Sequence, residues 1–262
     1  MIDTTEIKGL VFDFGGTLDT NGCHWGRNIW HAYEKVGLLN MQLTYEQFVE
    51  AYVFAERSMG KNVYVMPNDT FRQMLNVKLN LQMDYICRKS VNCEEGWENV
   101  NVTSADESSR YASCIVDVLY NKMTEQMAHT RKVLSALQGC YPMALVTNFY
   151  GNMHTVLNEF NLNTYFPHVI ESAVVGVRKP APAIFELGVE ALGLKPHEVV
   201  VIGDSLDKDI IPANAIGCKT VWLKGEGWKP QPDSDIPDMV ISSLEQLTAV
   251  LLNANQKNQI TI

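Results

Sequence analysis

The sequence predicts an α/β protein with a doubly wound, Rossmann-like parallel sheet and an inserted all-helical cap domain. From about residue 124 onward, short apolar runs alternate with helical patterns, which is typical of right-handed βαβ units. One further apolar run lies at residues 7–13, and only helical periodicity separates it from the others. We therefore assign residues 1–20 and 124–262 to an α/β core and residues 21–123 to the cap.

The first strand is predicted at residues 7–13, a mostly apolar run that ends before Gly15 and Gly16. Such a run fits a strand that is buried in a parallel sheet. The carboxyl end of this strand delivers Asp13 to the loop that follows.

The cap is predicted to contain four amphipathic helices, because apolar residues recur at helical spacing through this part of the chain. Thr44 with Gln47 and Ser104 with Glu107 match the capping box that begins a helix. The predicted helices cover residues 24–36, 45–59, 70–89 and 105–123.

The core then continues as alternating helices and strands. Residues 199–202 are a strand by their β-branched content, and a proline-rich segment precedes the helix that begins at Pro182. The predicted helices cover residues 124–137, 152–160, 182–192, 207–216 and 244–253, and the predicted strands cover residues 143–147, 169–172, 199–202, 220–223 and 239–241.

Composition narrows the classes of function. The formal net charge is −9 without a stripe of Lys and Arg, which argues against binding to nucleic acid or to an anionic membrane surface. A phosphorylated substrate stays open, because a local cation or metal can invert the field at one site. The six cysteines form no C-x-x-C pair, which favours free thiols, and we find no signal peptide and no membrane-spanning apolar run. We therefore expect a cytoplasmic protein, and the oligomeric state stays unknown.

Side chains with chemical uses follow the ends of several predicted strands. In an open parallel sheet, ligands bind outside the carboxyl ends of the strands, so these side chains share one rim. A strand-end carboxylate can attack phosphorus, two carboxylates can hold Mg²⁺, and a lysine, a hydroxyl or a backbone N–H can bind phosphate oxygens. The residues concerned are Asp13, Thr147, Asn148, Lys179, Asp204, Asp207 and Asp209.

Four segments resemble the four motifs of the haloacid dehalogenase-like (HAD) hydrolase superfamily, in its branch of phosphatases with a helical cap. Residues 13–18, Asp-Phe-Gly-Gly-Thr-Leu, resemble motif I, and residues 147–148, Thr-Asn, resemble motif II. Residues 179–180, Lys-Pro, and residues 203–210, Gly-Asp-Ser-Leu-Asp-Lys-Asp-Ile, resemble motifs III and IV. The four segments occur in the family's order, with an insertion where that family places its cap.

The resemblance implies a role for each motif residue. Asp13 would be the nucleophile that becomes phosphorylated, and Mg²⁺ would be held by Asp13, the carbonyl of Gly15 and Asp204. Asp209 would support the metal site or orient Lys179. The residues implied in phosphate binding are Gly16, Thr147, Asn148 and Lys179.

Position 15 departs from the family pattern. Most phosphatases of this family have a second aspartate there, which protonates the leaving group and then activates water, and such help contributes about 10²–10⁴ in rate. Gly15 has no side chain to do this. Three alternatives follow: another acid, Asp19, His24 or Cys23, replaces it; the enzyme is slow and needs good leaving groups; or the chain binds phosphate with little turnover.

Other classes of protein are disfavoured. By resemblance, haloacid dehalogenases have an aromatic residue at position 15 and a neutral fourth motif, and sugar-phosphate mutases need the second aspartate. The sequence also lacks the glycine-rich turn of a dinucleotide oxidoreductase, the P-loop and the serine hydrolase elbow.

We therefore predict a Mg²⁺-dependent phosphatase that acts on a small phosphorylated metabolite through an aspartyl-phosphate intermediate. A phosphate-binding or regulatory protein with weakened turnover is the alternative, and a haloacid dehalogenase is the more remote one. Asp207 lies between the stronger candidates of motif IV and is expected only to cap the helix that follows.

Overall fold

The chain divides into two units, one of which is discontinuous in sequence. Met1–Trp25 and Met123–Ile262 form the first, here called the core unit, and Gly26–Lys122 forms the second, here called the helical unit. Among the described residues, no helix combines the length and the apolarity needed to cross a bilayer. This structure is a computed structural model, and it describes residues 5–37, 42–102 and 104–258.

Long helices build the helical unit. The helices in this part of the chain are α1 (Trp25–Val36), α2 (Tyr45–Lys61), α3 (Phe71–Val91) and α4 (Ala105–Gln138). The predicted capping box begins α2: the Thr44 hydroxyl accepts the Gln47 N–H, and the Gln47 side chain accepts the Thr44 N–H. Phe48, Ala51 and Ala55 form the buried face of this helix, at the spacing that the sequence predicted.

The helix α4 differs from the prediction. Two helices were expected, 105–123 and 124–137, but one continuous helix runs from Ala105 to Gln138. Its start agrees with the predicted cap, because the Ser104 hydroxyl accepts the Glu107 N–H at 3.2 Å. The expected break is wrong because this stretch contains neither glycine nor proline, so nothing in the backbone ends the helix there.

In the part of the chain that the structure describes, the core unit contains six parallel strands in the order β3-β2-β1-β4-β5-β6, which confirms the predicted parallel sheet. The strands are β1 (Gly9–Phe12), β2 (Met143–Thr147), β3 (His168–Glu171), β4 (Val199–Gly203), β5 (Lys219–Leu223) and β6 (Met239–Ile241).

The strand β1 lies inside the sheet, between β2 and β4. All four of its residues are buried, and Phe12 is in register with Leu145 of β2 and Ile202 of β4. Because the three strands are parallel, the loops that follow them leave from the same edge of the sheet. This register therefore brings the segments after Phe12, Thr147 and Gly203 together.

Helices pack on this sheet through apolar side chains. The helices of the core unit after α4 are α5 (Met153–Glu159), α6 (Ser172–Val175), α7 (Ala183–Ala191), α8 (Ile211–Ala215) and α9 (Gln246–Asn258). Ile184 and Val189 of α7 share one buried cluster with Val11 of β1 and Val146 of β2. This cluster buries one face of the sheet against α7.

The turn at Leu206–Ile210, which leads into α8, is capped by Ser205 and not by Asp207. The Ser205 side chain accepts the Lys208 N–H at 3.2 Å, whereas Asp207 is exposed. The expectation for Asp207 is wrong because the turn begins earlier, directly after the strand-end residues.

Candidate active site

Three acidic side chains and one lysine meet where β1 and β4 end. Asp13 follows β1, Asp204 follows β4, and Asp209 lies in the next turn. One carboxylate oxygen of each acid lies within 4.8 Å of the others, and these three residues and Lys179 are buried. The structure thus brings together four residues that the sequence motifs singled out.

Lys179 connects two of these acids. Its Nζ lies 2.6 Å from Oδ1 of Asp13 and 2.6 Å from Oδ1 of Asp209. Burial alone would lower the pKa of Lys179, but the two carboxylates outweigh burial and raise it. Lys179 is therefore a fixed cation between two anions.

The cluster holds more acidic groups than Lys179 can balance. Burial raises the pKa of Asp13 to about 6, although the charge of Lys179 acts in the opposite direction. The pKa of Asp204 is raised well above its usual range, first by burial and then by the charges of Asp209 and Asp13. Buried carboxylates that share one lysine favour a further cation, and oxygen ligands are the type that Mg²⁺ prefers. The donor set therefore fits a magnesium ion.

Thr17 links the two strand-end acids, a contact that no sequence pattern predicted. Its Oγ1 lies 3.2 Å from Asp13 Oδ2 and 3.3 Å from Asp204 Oδ1, and it accepts the Asp204 N–H at 3.0 Å. A hydroxyl has one hydrogen, so Thr17 donates to one carboxylate at a time. The available signal was its place in the Asp-Phe-Gly-Gly-Thr-Leu segment.

Gly16 allows Asp204 to approach the turn that follows Asp13. Its φ is +96°, and a Cβ at this position would lie 2.5 Å from the Asp204 carboxyl carbon. An L side chain would therefore be both strained and in collision with Asp204. The Gly16 N–H, implied in phosphate binding, donates to Asp19 Oδ1 at 2.7 Å.

Two contacts hold the loop after β4. The indole Nε1 of Trp222, on β5, donates to the Asp204 carbonyl at 2.9 Å, and the Ser205 N–H donates to Asp209 Oδ2 at 3.0 Å. Both oxygens of Asp209 are thus used, one by Ser205 and one by Lys179. No motif pointed to Trp222, because its contact with Asp204 depends on the pairing of β4 with β5.

Asn148 holds the segment that carries Lys179. Its Oδ1 accepts the Lys179 N–H at 2.9 Å, and its Nδ2 donates to the Lys179 carbonyl at 3.1 Å. Thr147 is buried at the end of β2. The Glu171 carboxylate accepts the Gly151 N–H at 2.5 Å and so fixes the loop that follows Asn148.

Position 15 has room for a side chain. Gly15 has φ −76° and ψ 112°, a conformation that any L residue adopts. Among the described residues, and apart from the residues adjacent in sequence, a Cβ there would have one neighbour within 4 Å, Trp25 Cδ1 at 3.9 Å. The backbone and the surroundings of position 15 would therefore accept an aspartate, although the sequence has glycine there.

The three candidate replacement acids lie in different surroundings. Asp19 is buried, and its Oδ2 accepts the indole N–H of Trp25 at 2.7 Å. The Cys23 thiol lies 3.9 Å from Glu226 Oε2, and the His24 ring packs against the Trp228 ring with centroids 5.3 Å apart. Asp19 also bonds to the turn after Asp13, because its Oδ1 accepts the Gly16 N–H.

Comparisons with known proteins agree with the motif pattern. A family model described as a hydrolase, haloacid dehalogenase-like hydrolase, matches residues 7–217. Among solved structures, the magnesium-bound HAD-hydrolase YfnB of Bacillus subtilis is similar in fold, with a TM-score of 0.52 and 18% identity over 94% of this chain and 98% of that chain.

Curated relatives match a smaller part of the chain. The glyceraldehyde 3-phosphate phosphatase of Pyrococcus furiosus is 40% identical over 100 residues, 37% of this chain and 41% of the relative. The pyrimidine 5'-nucleotidase YjjG of Escherichia coli is 31% identical over 121 residues, 45% of this chain and 53% of the relative. The chain thus spans about half, or less, of the length of these relatives.

Proposed function

The chain belongs to the haloacid dehalogenase-like hydrolase family, and we propose that it is a Mg²⁺-dependent phosphatase that hydrolyses a small phosphorylated metabolite. The observation that carries the proposal is the contact of Asp13 with Lys179, beside the carboxylate of Asp204. The two curated relatives named above are phosphatases of small metabolites by name, which supports this class of substrate.

In the proposed reaction, a carboxylate oxygen of Asp13 attacks the phosphorus of the ester. The bond between phosphorus and the ester oxygen breaks, and the alcohol departs with a proton. Water then attacks the aspartyl-phosphate, which releases inorganic phosphate and restores the Asp13 carboxylate. The Lys179 ammonium stabilises the negative charge of the transferring group because it already lies against Asp13.

We assign the metal site to Asp13, Asp204 and the carbonyl of Gly15. Mg²⁺ held there would offset the repulsion between carboxylate and phosphate. Asp209 uses both of its oxygens on Lys179 and Ser205, so we assign to it the orientation of Lys179.

The remaining motif residues are assigned around the phosphate. We keep Thr147 as a phosphate-binding residue, and we assign Asn148 to holding the backbone of Lys179. The Gly16 N–H donates to Asp19, so we assign Gly16 to the close approach of Asp204 instead. The helical unit, Gly26–Lys122, is proposed to be the cap.

A panel of phosphate monoesters, assayed with Mg²⁺ or with EDTA, tests the proposal. We expect phosphate release that depends on Mg²⁺ and that falls at least about 10³-fold in Asp13→Asn, because the nucleophile is lost. Asp207→Asn is the matched control, since it removes an exposed acid from motif IV, and it should retain wild-type rates.

Two results would contradict the proposal. Phosphate release that survives Asp13→Asn would remove Asp13 from the reaction. Binding of Mg²⁺ and phosphate with no release from any ester would instead favour the alternative function, a phosphate-binding protein with little turnover. That alternative follows from the absence of an aspartate at position 15.

A further inference from the structure

The proposed phosphatase reaction needs a proton donor that Gly15 cannot supply. An alkoxide is a poor leaving group, so its departure requires protonation, and the later attack of water requires a base. A side chain at position 15 would occupy an open space that faces Trp25. The group that replaces the missing aspartate must therefore lie close to this space.

Asp19 lies beside this space. Its Oδ2 bonds to the indole Nε1 of Trp25, and the neighbouring indole atom, Cδ1, is the one that a Cβ at position 15 would approach to 3.9 Å. Its Oδ1 bonds to the N–H of Gly16, the residue that follows position 15. The Asp19 carboxyl group therefore contacts both the backbone of the turn that follows Asp13 and the edge of the indole that borders the open space.

The surroundings of Asp19 suit a carboxyl group that gains and loses a proton. Its side chain is 1% exposed, and within the described part of the chain it has no ion pair with a lysine, arginine or histidine. Burial raises its pKa to about 7, the N–H groups of Trp25 and Gly16 act in the opposite direction, and the charge of Asp13 adds to the increase. Asp204 is the other charged neighbour. Both protonation states are therefore populated near neutral pH.

We propose that Asp19 is the general acid and base of this site, in place of a side chain at position 15. As Asp13 attacks and the ester bond breaks, protonated Asp19 gives its proton to the departing alkoxide, which leaves as the alcohol. The Asp19 carboxylate then takes a proton from the water that attacks the aspartyl-phosphate. Phosphate leaves, and Asp13 and protonated Asp19 are restored. The inference rests on the phosphatase function proposed above.

The dependence on the leaving group tests this role. We measure kcat/KM, which reports the steps up to release of the alcohol, with Mg²⁺ on an alkyl ester, glycerol phosphate, and an aryl ester, 4-nitrophenyl phosphate. Asp19→Asn should lower kcat/KM about 10²–10⁴-fold for the alkyl ester. It should change the aryl ester less than about 10-fold, because nitrophenolate leaves without a proton.

A second variant separates acid catalysis from support of the turn. Position 15 has room for a side chain, so Gly15→Asp in the Asp19→Asn background should restore hydrolysis of the alkyl ester. Asp207→Asn, which removes an exposed acid, should leave both esters unaffected.

Trp25→Phe tests the same group if Asp19→Asn does not fold. Removing the indole bond raises the pKa of Asp19, so the basic limb of the pH profile for the alkyl ester should move to higher pH. No shift of that limb overturns the inference.

The outcomes distinguish this inference from the proposed function. An equal loss for both esters in Asp19→Asn, without rescue by Gly15→Asp, makes Asp19 a structural residue and overturns the inference alone. A wild-type protein that hydrolyses neither ester, or an Asp13→Asn variant that hydrolyses both, overturns the proposed function together with the inference.

Discussion

Lys179 stands against two buried carboxylates, while Asp204 and Asp19 add two more nearby. Desolvation of a carboxylate costs free energy, and one lysine cannot offset it for every group in the cluster. Without a metal, such acids retain protons more strongly than they do in water. The residues that the proposed reaction needs therefore cost stability at neutral pH.

Asp19 should make the metal-free fold less stable as the pH rises. Its pKa is raised from 3.8 to about 7 by burial, so the folded state binds the proton more tightly than the unfolded state. The stability that this proton contributes is complete below about pH 4 and is lost as the pH rises through about 7, up to about 4 kcal/mol at 1.4 kcal/mol per unit. In EDTA, Asp19→Asn should thus show a smaller decrease in the free energy of unfolding across this range than wild type.

Urea unfolding at pH values between about 4 and 8 measures this difference. Asp207→Asn removes an exposed acid and should follow the wild-type curve. If the Asp19→Asn and wild-type curves run parallel across the range, Asp19 is ionised in the folded state in the same way as in the unfolded state, and the prediction is wrong.

Much of the residue-level site could be predicted because the acids and the lysine lie in motifs of fixed order. Asp13, Lys179, Asp204 and Asp209 were named from the sequence and meet in the structure. The supporting contacts could not be named, because they join distant segments. The bond from Trp222 to the Asp204 carbonyl depends on strand pairing, which no local pattern contains.

At the scale of elements, the strands were predicted within about two residues because apolar runs between polar loops leave few alternatives. The strands β2 and β6 agree with their predicted bounds, 143–147 and 239–241. The long helix α4 was predicted as two helices because the boundary between core and cap was placed near residue 124, yet its buried residues recur every three or four positions along its whole length. Buried positions show which side of a helix packs against its neighbours, whereas a glycine, a proline or a cap marks where the helix ends.

The strand β5 positions the motif IV loop through one hydrogen bond, and removing that bond tests this role. Trp222 is fully buried, and its Nε1 bonds to the Asp204 carbonyl at 2.9 Å. Trp222→Phe keeps a ring but leaves this carbonyl without its donor, which costs about 1–3 kcal/mol in a buried site. We expect a lower free energy of unfolding and weaker Mg²⁺ binding, measured by calorimetry.

Trp97→Phe is the matched control for this prediction. Trp97 is also a buried tryptophan, but it belongs to the helical unit, so its replacement should not affect Mg²⁺ binding. Unchanged Mg²⁺ affinity in Trp222→Phe would mean that the loop keeps its geometry without the bond from Trp222.

At the scale of the whole molecule, the order of the strands decides the site. The strand β1 begins the chain's sheet, yet it pairs with β2 on one side and β4 on the other, so loops that are more than a hundred residues apart in sequence meet at one edge. The chain carries a net charge of −9, and this edge concentrates acids in a buried cluster. Binding of a divalent cation at this cluster, as proposed, would therefore also stabilise the core unit.

Mg²⁺ should stabilise the folded protein through this cluster. A ligand present at 100 times its Kd adds about 2.7 kcal/mol, which corresponds to an increase in Tm of about 5–10 °C for a chain of this size. Asp204→Asn removes a carboxylate from the cluster and should abolish most of the increase, whereas Asp207→Asn removes an exposed charge of the same loop and should keep it. Asp204→Asn should also raise Tm in EDTA, because it removes a carboxyl group that is disfavoured first by burial and then by the neighbouring acids. Thermal unfolding of the three proteins with Mg²⁺ and with EDTA measures both effects, and an equal response of the two variants to Mg²⁺ would place the cation outside this cluster.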